Sequence, residues 1–533
     1  IMKKISALLL ALCMALSLAA CGSKDPDTAA SRPPASSGTE SEAPSTVRTL
    51  GGDLVLPFTS TMGEFFNPYK QGNLIEYGWP CYEPLAQLKP DGQWHPCLAE
   101  SWEVDGEGHT ITVKLRQGVT FHNGDTLDAD DLVFTLQSRL DYGTASAIGN
   151  PSAVEKVDDY TVRVRWDAFS LDYELWILKE YVYSKSAVED NGLDWILNNM
   201  VGTGPYVMSE FIPDVHLRFT RSDSYWREIE SGPDTITFQY FPEETTRLAA
   251  FLNGEIGTID TIQSTSIAQL EAAGFVGNSE YNTNNITHYY VQILNLDEND
   301  PLADVEVRRA LYLHGIDWDY VAEAASGGLG HHNDCIGSER MAYYSPELEQ
   351  SAYDPEKAKQ MLADAGYPDG FETVLYIYPG LEKDATLIQA DLEKIGVRST
   401  VEVVDASVVW NYMTGYVDGV ESGIFPQYLS YDSSFQTDRF IKFNSPEGAV
   451  AEHTVWDDEG VALWNAVKTA KTHEEQNDAL RAFVEYYVLT DCTYWPMYNV
   501  EGKMYYQEDV HYSDMAPIVG AGYDPLEIWM DVK

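Results

Sequence analysis

The stretch from Leu98 to Leu140, LAESWEVDGEGHTITVKLRQGVTFHNGDTLDADDLVFTLQSRL, constrains the fold of this chain more than any other. Ile111, Val113 and Leu115 alternate with Thr112, Lys114 and Arg116, the period of two that suits a half-buried strand. Asn123-Gly124 signals a turn, and Thr126 or Asp128 then caps the next element. Asp128, Asp130 and Asp131 favour a helix N-terminus, and Leu132, Val133, Leu136 and Leu140 form one apolar face. Strand, turn and helix must therefore follow one another closely here.

The literal string says more. LAESWE, an alternating strand ending in Lys-Leu-Arg, and GVTFHNGDTLDADDLVF resemble the signature block of the extracytoplasmic solute-binding proteins of family 5, the peptide- and nickel-type receptors of ABC importers. Tyr82-Glu83-Pro84-Leu85, Gly202-Thr203-Gly204-Pro205-Tyr206, Ser224-Tyr225-Trp226, Glu255-Ile256-Gly257 and Asp304 to Leu311 continue the resemblance in order. It implies an α/β chain with a two-lobed periplasmic-binding-protein type II fold and an extra small domain, three domains in all. The expected segments are lobe I in three parts (48–87, 201–288 and 491–533), the small domain (88–200) and lobe III (289–490). One departure stands out: His314-Gly315 precedes Ile316-Asp317 where the family has alanine, and the glycine predicts a local bulge.

Ahead of this body, Met2, Lys3 and Lys4 lead into an apolar run from Ile5 to Leu18, too short to span a bilayer comfortably. Residues 1–20 read as a signal peptide. Leu18-Ala19-Ala20-Cys21 resembles a lipobox, which implies that Cys21 is lipidated and becomes the first mature residue. Two or three acyl chains anchor stably, at about 0.8 kcal/mol per buried CH₂. From Gly22 to Val47 the chain has no aromatic residue and is rich in Ser, Pro, Ala and Thr, the composition of a flexible tether. Such a tether holds its load roughly 25–30 Å from the anchor on average. No later stretch reads as apolar enough to cross a membrane.

The 486 residues beyond position 47 exceed what one core usually supports, so two or more lobes are expected. With 34 basic and 84 acidic side chains, the net charge of −50 argues against nucleic acid or an anionic membrane surface as partner. Cys81 and Cys97 flank the turn signal Asp91-Gly92, a spacing that permits a disulfide, whereas Cys335 and Cys492 read as buried thiols.

Through the body, Leu54 to Pro57 reads as a strand. Gly202 to Tyr206 reads as a tight turn and not as a phosphate loop, because Pro205 lacks the N–H of such a cradle and no Gly-Lys-Ser/Thr follows. Pro242 opens a helix with Leu248, Phe251 and Leu252 on one face, and Gly254 closes it. Later come a helix from Asp354-Pro355, a strand over 371–378, a helix around Leu387 to Ile395 and a strand over 397–404. Leu480, Phe483, Val484 and Tyr487 share a helical face, and Trp495 to Tyr498 is expected to lead back to lobe I. Helices alternating with strands at this spacing imply α/β layers.

No G-x-S-x-G, H-E-x-x-H or C-x-x-C is present, so serine-hydrolase, zincin and zinc-ribbon chemistry lack their usual support. His331-His332-Asn333-Asp334-Cys335 is the nearest approach to a metal cluster and reads better as an exposed loop at a cleft rim. A receptor needs a crevice with aromatic walls and a few orienting polar groups. In the peptide-binding relatives an aspartate in a loop of the C-terminal lobe pairs with the ligand's amino terminus, and extended backbone pairing supplies affinity. The equivalent here is Gly423 to Phe435, which makes Asp432 the candidate clamp, although the expected tryptophan and Asp-Pro are missing. Tyr428, Tyr431 and Trp410 are candidates for the wall, and Asn67 and Tyr69 for the opposite side.

The resemblance thus implies a lipid-anchored, monomeric, extracytoplasmic receptor with no enzymatic step, cofactor, metal or nucleic acid. It would capture dipeptides or oligopeptides and hand them to a permease driven by an ATPase. The alternatives are the same fold with another solute, such as a nickel chelate or oligosaccharide, and an extracellular hydrolase.

Overall fold

The computed structural model describes residues 48–59, 75–143, 148–196, 198–261, 263–278, 286–297, 299–335, 344–345, 348, 351–405, 408–414, 417–431, 446, 457–518 and 522–531. The first strand, β1 (Asp53–Phe58), alternates buried Leu54, Leu56 and Phe58 with less buried neighbours. A hairpin of β2 (Ala86–Leu88) and β3 (Trp94–Pro96) turns at Gly92 as the Asp91-Gly92 pair predicts.

The expected strand, turn and helix follow. After β4 (Ala99–Asp105), β5 (Thr110–Leu115) buries Ile111, Val113 and Leu115 completely. Gly124 turns the chain with a φ of 91°, and α1 (Ala129–Asp141) begins at Asp128, not Thr126. Asp128 accepts from the Asp130 N–H at 2.7 Å while Asp131 accepts from the Asp128 N–H at 3.1 Å, a reciprocal capping box. Replacing Asp128 by alanine should therefore cost about 1 kcal/mol in urea unfolding. β6 (Ala153–Asp158) and β7 (Thr161–Arg165) complete an antiparallel sheet in the order β4-β5-β7-β6. Its core holds Val162, Val164, Leu132 and Leu136, with α2 (Asp172–Leu178) adding Ile177.

The chain then crosses Gly202 and Gly204, where a Cβ would lie 2.0 Å from the Cys81 carbonyl oxygen and 2.7 Å from its carbon. Glycine is required there for backbone contact, which accounts for the tight turn without any phosphate. β8 (Tyr206–Ile212), β9 (His216–Arg221) and β10 (Thr235–Tyr240) join β1 in a second sheet, with β1 parallel to β10. Next come α3 (Glu244–Leu252) and β11 (Thr258–Thr261). Leu248 and Phe251 face the core, but Leu252 is exposed, because the helix turns it one residue past the apolar stripe.

The third sheet is the largest. β12 (Ile286–Leu294) leads to a helical stretch in which Ala310–Gly315 is a π-helical turn, the bulge that His314-Gly315 predicts. A Cβ on Gly315 would sit 2.9 Å from Ile395 Cδ1. After α4 (Trp318–Ser326), β13 (Gly330–His332), α5 (Pro355–Asp364) and β14 (Glu372–Ile377), α6 (Glu382–Lys394) starts five residues ahead of the expected Leu387. β15 (Arg398–Val403), β16 (Gly423–Tyr431), α7 (Asp458–Thr469), α8 (His473–Glu485) and a second π-helical turn, Tyr486–Asp491, precede β17 (Tyr494–Glu501). Leu480, Phe483, Val484 and Tyr487 are all buried, as their spacing requires.

The sheet order is β13-β17-β12-β16-β14-β15, with β14 parallel to both β15 and β16. Trp495 to Tyr498 thus lies inside this sheet, because β17 pairs with β12 and β13. The chain leaves it only after Glu501, and β18 (Lys503–Tyr506) pairs with β11. Sheets alternating with helices around separate cores establish the α/β, two-lobed architecture. Among the described residues no helix is long and apolar enough to cross a membrane.

Candidate functional site

In open sheets of this kind a ligand crevice lies off the carboxyl ends of parallel strands. β14 and β16 are parallel, β14 ending at Ile377 and β16 running on to Tyr431, and in the second sheet β1 and β10 end together at Phe58 and Tyr240. Residues 60–74 follow β1 and residues 432–445 follow β16. Asn67, Tyr69 and Asp432 belong to those two segments and lie outside the described residues, as does Cys21. Trp410 falls in the helix Val409–Thr414 and Tyr431 is the last residue of β16, but their side chains are also outside the described part.

Tyr428 is described, and it organises an aromatic wall. It is 39 % exposed, its backbone N–H donates to the Tyr378 hydroxyl at 3.1 Å, and its ring centroid lies 5.4 Å from Tyr378 and 5.5 Å from Tyr289. Tyr289 sits directly across the ladder from Tyr428 and Tyr498, and it stacks on Tyr498 at 4.4 Å and 15°. The Tyr498 hydroxyl donates to Asp384 Oδ1 at 2.5 Å.

Asp384 is buried, and burial raises its carboxyl above the usual range against the opposing pull of the Tyr498 bond. Burial likewise pushes the Tyr289 phenol up to about 12. The wall therefore presents neutral phenols, flat apolar faces with polar tips, which suit a partly wet ligand surface. Tyr289, Tyr378, Tyr498 and Asp384 escaped the sequence reading. Their signal is cross-strand register, and Asp384 lies on the first turn of α6, ahead of the expected Leu387.

The opposite face of the sheet is scaffold. His288 is wholly buried and bonds to Tyr494 (2.9 Å) and Asn499 (2.6 Å), and burial lowers it to about 4, so it is neutral. The Tyr290 hydroxyl donates to Gln427 Oε1 at 3.1 Å, and Gln427 donates to Gln292 at 2.8 Å.

The histidine-rich segment is not an exposed rim. Gly330–His332 is a strand, and His332, Asp334, Ser351 and Tyr312 form a half-buried to buried network. Tyr312 and Ser351 both donate to Asp334, at 2.7 and 3.0 Å, and His332 Nε2 lies 3.1 Å from it. The hydrogen bonds and charge of His332 hold the Asp334 carboxyl below its usual range despite burial. Among the described residues no three His, Cys, Asp or Glu side chains converge as a metal site.

Cys81 and Cys97 are free buried thiols with different partners: Cys81 lies 3.7 Å from His122 Nδ1, and Cys97 faces Glu83 at 3.5 Å. Cys335 and Cys492 are buried thiols as expected. A cavity beside Tyr82, Glu83, Tyr181 and Arg227 measures about 10 Å³. That is far below the several hundred a solute pocket needs.

Comparison with known proteins bears on the whole body. Residues 93–440 match the family described as bacterial extracellular solute-binding proteins, family 5, middle region. Heme-binding protein A of Haemophilus influenzae is 30 % identical over 353 residues, which cover 60 % of this chain and 63 % of the relative. The dipeptide-binding protein of Escherichia coli is 28 % identical over 360 residues, 60 % of this chain and 66 % of that one. The aligned part of the chain thus spans a little under two thirds of these relatives. In three dimensions the chain resembles the ABC transporter substrate-binding protein CtaP of Listeria monocytogenes, with a TM-score of 0.77 and 21 % identity, over 90 % of this chain and 99 % of the other.

Proposed function

Because the chain belongs to family 5 of the bacterial extracellular solute-binding proteins, we propose that it is the lipid-anchored receptor of an ABC importer, taking up short peptides. Cys21 carries the anchor, residues 22–47 are the tether, and the solute lies between lobe I and lobe III. The observation that carries this reading is the tyrosine wall off the carboxyl end of β14, the side on which ligands of open α/β sheets lie. Asp432 pairs with the ligand's amine, Tyr428, Tyr431 and Trp410 line the wall, and Asn67 and Tyr69 approach from lobe I. No bond is made or broken. Binding shifts a hinge equilibrium toward the closed form that a permease can distinguish from the empty one.

Native mass spectrometry of the purified chain tests the ligand class: a ladder of co-purified peptide masses is expected. A second reading is favoured by the 30 % identity to a heme-binding protein, since a flat macrocycle also suits a tyrosine wall. A single defined mass with a visible absorption band would establish that reading and remove the peptide one. In either case Tyr428→Ala should weaken binding about tenfold in titration calorimetry, the loss of one well-placed aromatic contact. Unchanged affinity would take Tyr428 out of the site.

A further inference from the structure

A polar bond joins two separately cored parts of the molecule. His473 Nε2 on α8, which packs on the largest sheet, lies 3.0 Å from Glu174 Oε2 on α2, which packs on the sheet of β4 to β7. Glu174 is held ready for it. The Trp102 indole N–H of β4 donates to Glu174 Oε1 at 2.7 Å, and the carboxylate side chain is only 15 % exposed. Burial raises the Glu174 carboxyl, and the His473 and Trp102 bonds overcome that and leave it below its usual range. His473 is 61 % exposed and is the first residue of its helix, capped by Thr472. It is therefore open to protons from solvent.

We infer that Glu174 and His473 form a pH-sensitive latch between the small sheet and the C-terminal lobe. An imidazole gains its charge below about pH 6.5, and the bond then becomes charge-assisted. The charged groups around His473 act in known directions. Glu174 on α2 and Glu474 and Glu475 in its own first turn favour the imidazolium, while Lys471 and the positive end of the helix oppose it. Glu475 also accepts from the Lys471 N–H at 2.8 Å, which ties it to the cap. Acidification thus tightens the clasp, and neutral pH relaxes it. The inference rests on the hinged-receptor reading for its purpose, while the bond itself is independent of any ligand.

Single-molecule energy transfer on the full chain tests it, with fluorophores introduced through non-natural residues at the exposed positions Glu107 and Ala466. The ratio of closed to open molecules should be about two- to fivefold higher at pH 5.5 than at pH 7.5, the range of an exposed ion pair, and the difference should shrink in 0.5 M NaCl. His473→Gln should abolish the pH difference, and His473→Lys, always charged, should keep the higher ratio at both values. A His473→Gln chain that retains the full response overturns the latch, as does a natural chain with no response. A chain that responds through His473 yet binds no trialanine or mixed peptides upholds the latch and counts against the peptide reading alone.

Discussion

Replacing Glu83 by alanine is expected to remove about 2–4 kcal/mol of stability, the effect of leaving several hydrogen-bond donors without their buried acceptor. Glu83 is 4 % exposed and collects three strong donors: the Tyr225 hydroxyl at 2.6 Å, the Trp226 indole N–H at 2.8 Å and Arg227 Nη2 at 2.6 Å. The Arg227 guanidinium also lies 4.5 Å from the Trp226 ring centroid, so its charge is shared between a carboxylate and an aromatic face. Alanine would orphan a hydroxyl and an indole N–H together, and each lost partner adds a desolvation penalty. These donors come from the turn between β9 and β10, and the acceptor stands where the chain enters the small sheet. The damage should therefore appear as a lower urea midpoint with an unchanged slope. Glu83→Gln, which keeps an acceptor, should lose less. A Glu83→Ala chain within 1 kcal/mol of the parent would show that this network contributes little.

The second large effect is on acid stability. His288 has no exposed surface, and burial holds its imidazole at about 4. In the unfolded chain the same group titrates near 6.5. Between those values the unfolded chain binds the proton that the folded chain refuses, so stability falls as the pH drops from 6.5 toward 4. The whole span is worth about 3 kcal/mol, and about 2 kcal/mol of it should be lost between pH 7 and pH 5. Asp131 works in the opposite direction: burial raises its carboxyl to about 6, so the folded chain gains stability as pH falls through 6 toward 3.8. The natural chain alone would therefore blur the two. Comparing its pH 7 and pH 5 unfolding free energies with those of His288→Gln isolates the imidazole, and an equal loss in both chains would contradict a buried neutral His288.

Much of the fold was legible because local and global preferences agree. The alternation of Ile111, Val113 and Leu115, the Asp128 cap, the turn at Gly124 and the stripe of Leu480, Phe483, Val484 and Tyr487 all adopt the structure their spacing dictates. The glycine of His314-Gly315 announced a bulge but not its π-helical form, nor that Ile395, from the end of α6, would pack against it. Where reading failed, the missing information was non-local. Trp495 to Tyr498 looks like any apolar strand, and only pairing with β12 and β13 assigns it to its sheet. His331 to Cys335 looks like a polar loop until Tyr312 and Ser351 close over Asp334. The tyrosine wall was half visible. Tyr428 stood out within its segment, whereas Tyr289 and Tyr498 reach it only through register across three strands, and Asp384 through the start of a helix.

The route of β17 and β18 has a consequence for how the polypeptide matures. β17 fills the gap between β13 and β12, and two residues later β18 covers β11, so a segment near the carboxyl end pairs with strands made about 165 to 250 residues earlier. Thr49, at the opposite end of the described chain, likewise donates its hydroxyl to the Met530 carbonyl at 2.5 Å. A ribosome must therefore release nearly the whole polypeptide before either sheet can close, and contacts so distant along the chain form slowly. Those two sheets stay incomplete until the last strands are made, whereas the sheet of β4 to β7, whose strands are neighbours in sequence, has no such wait.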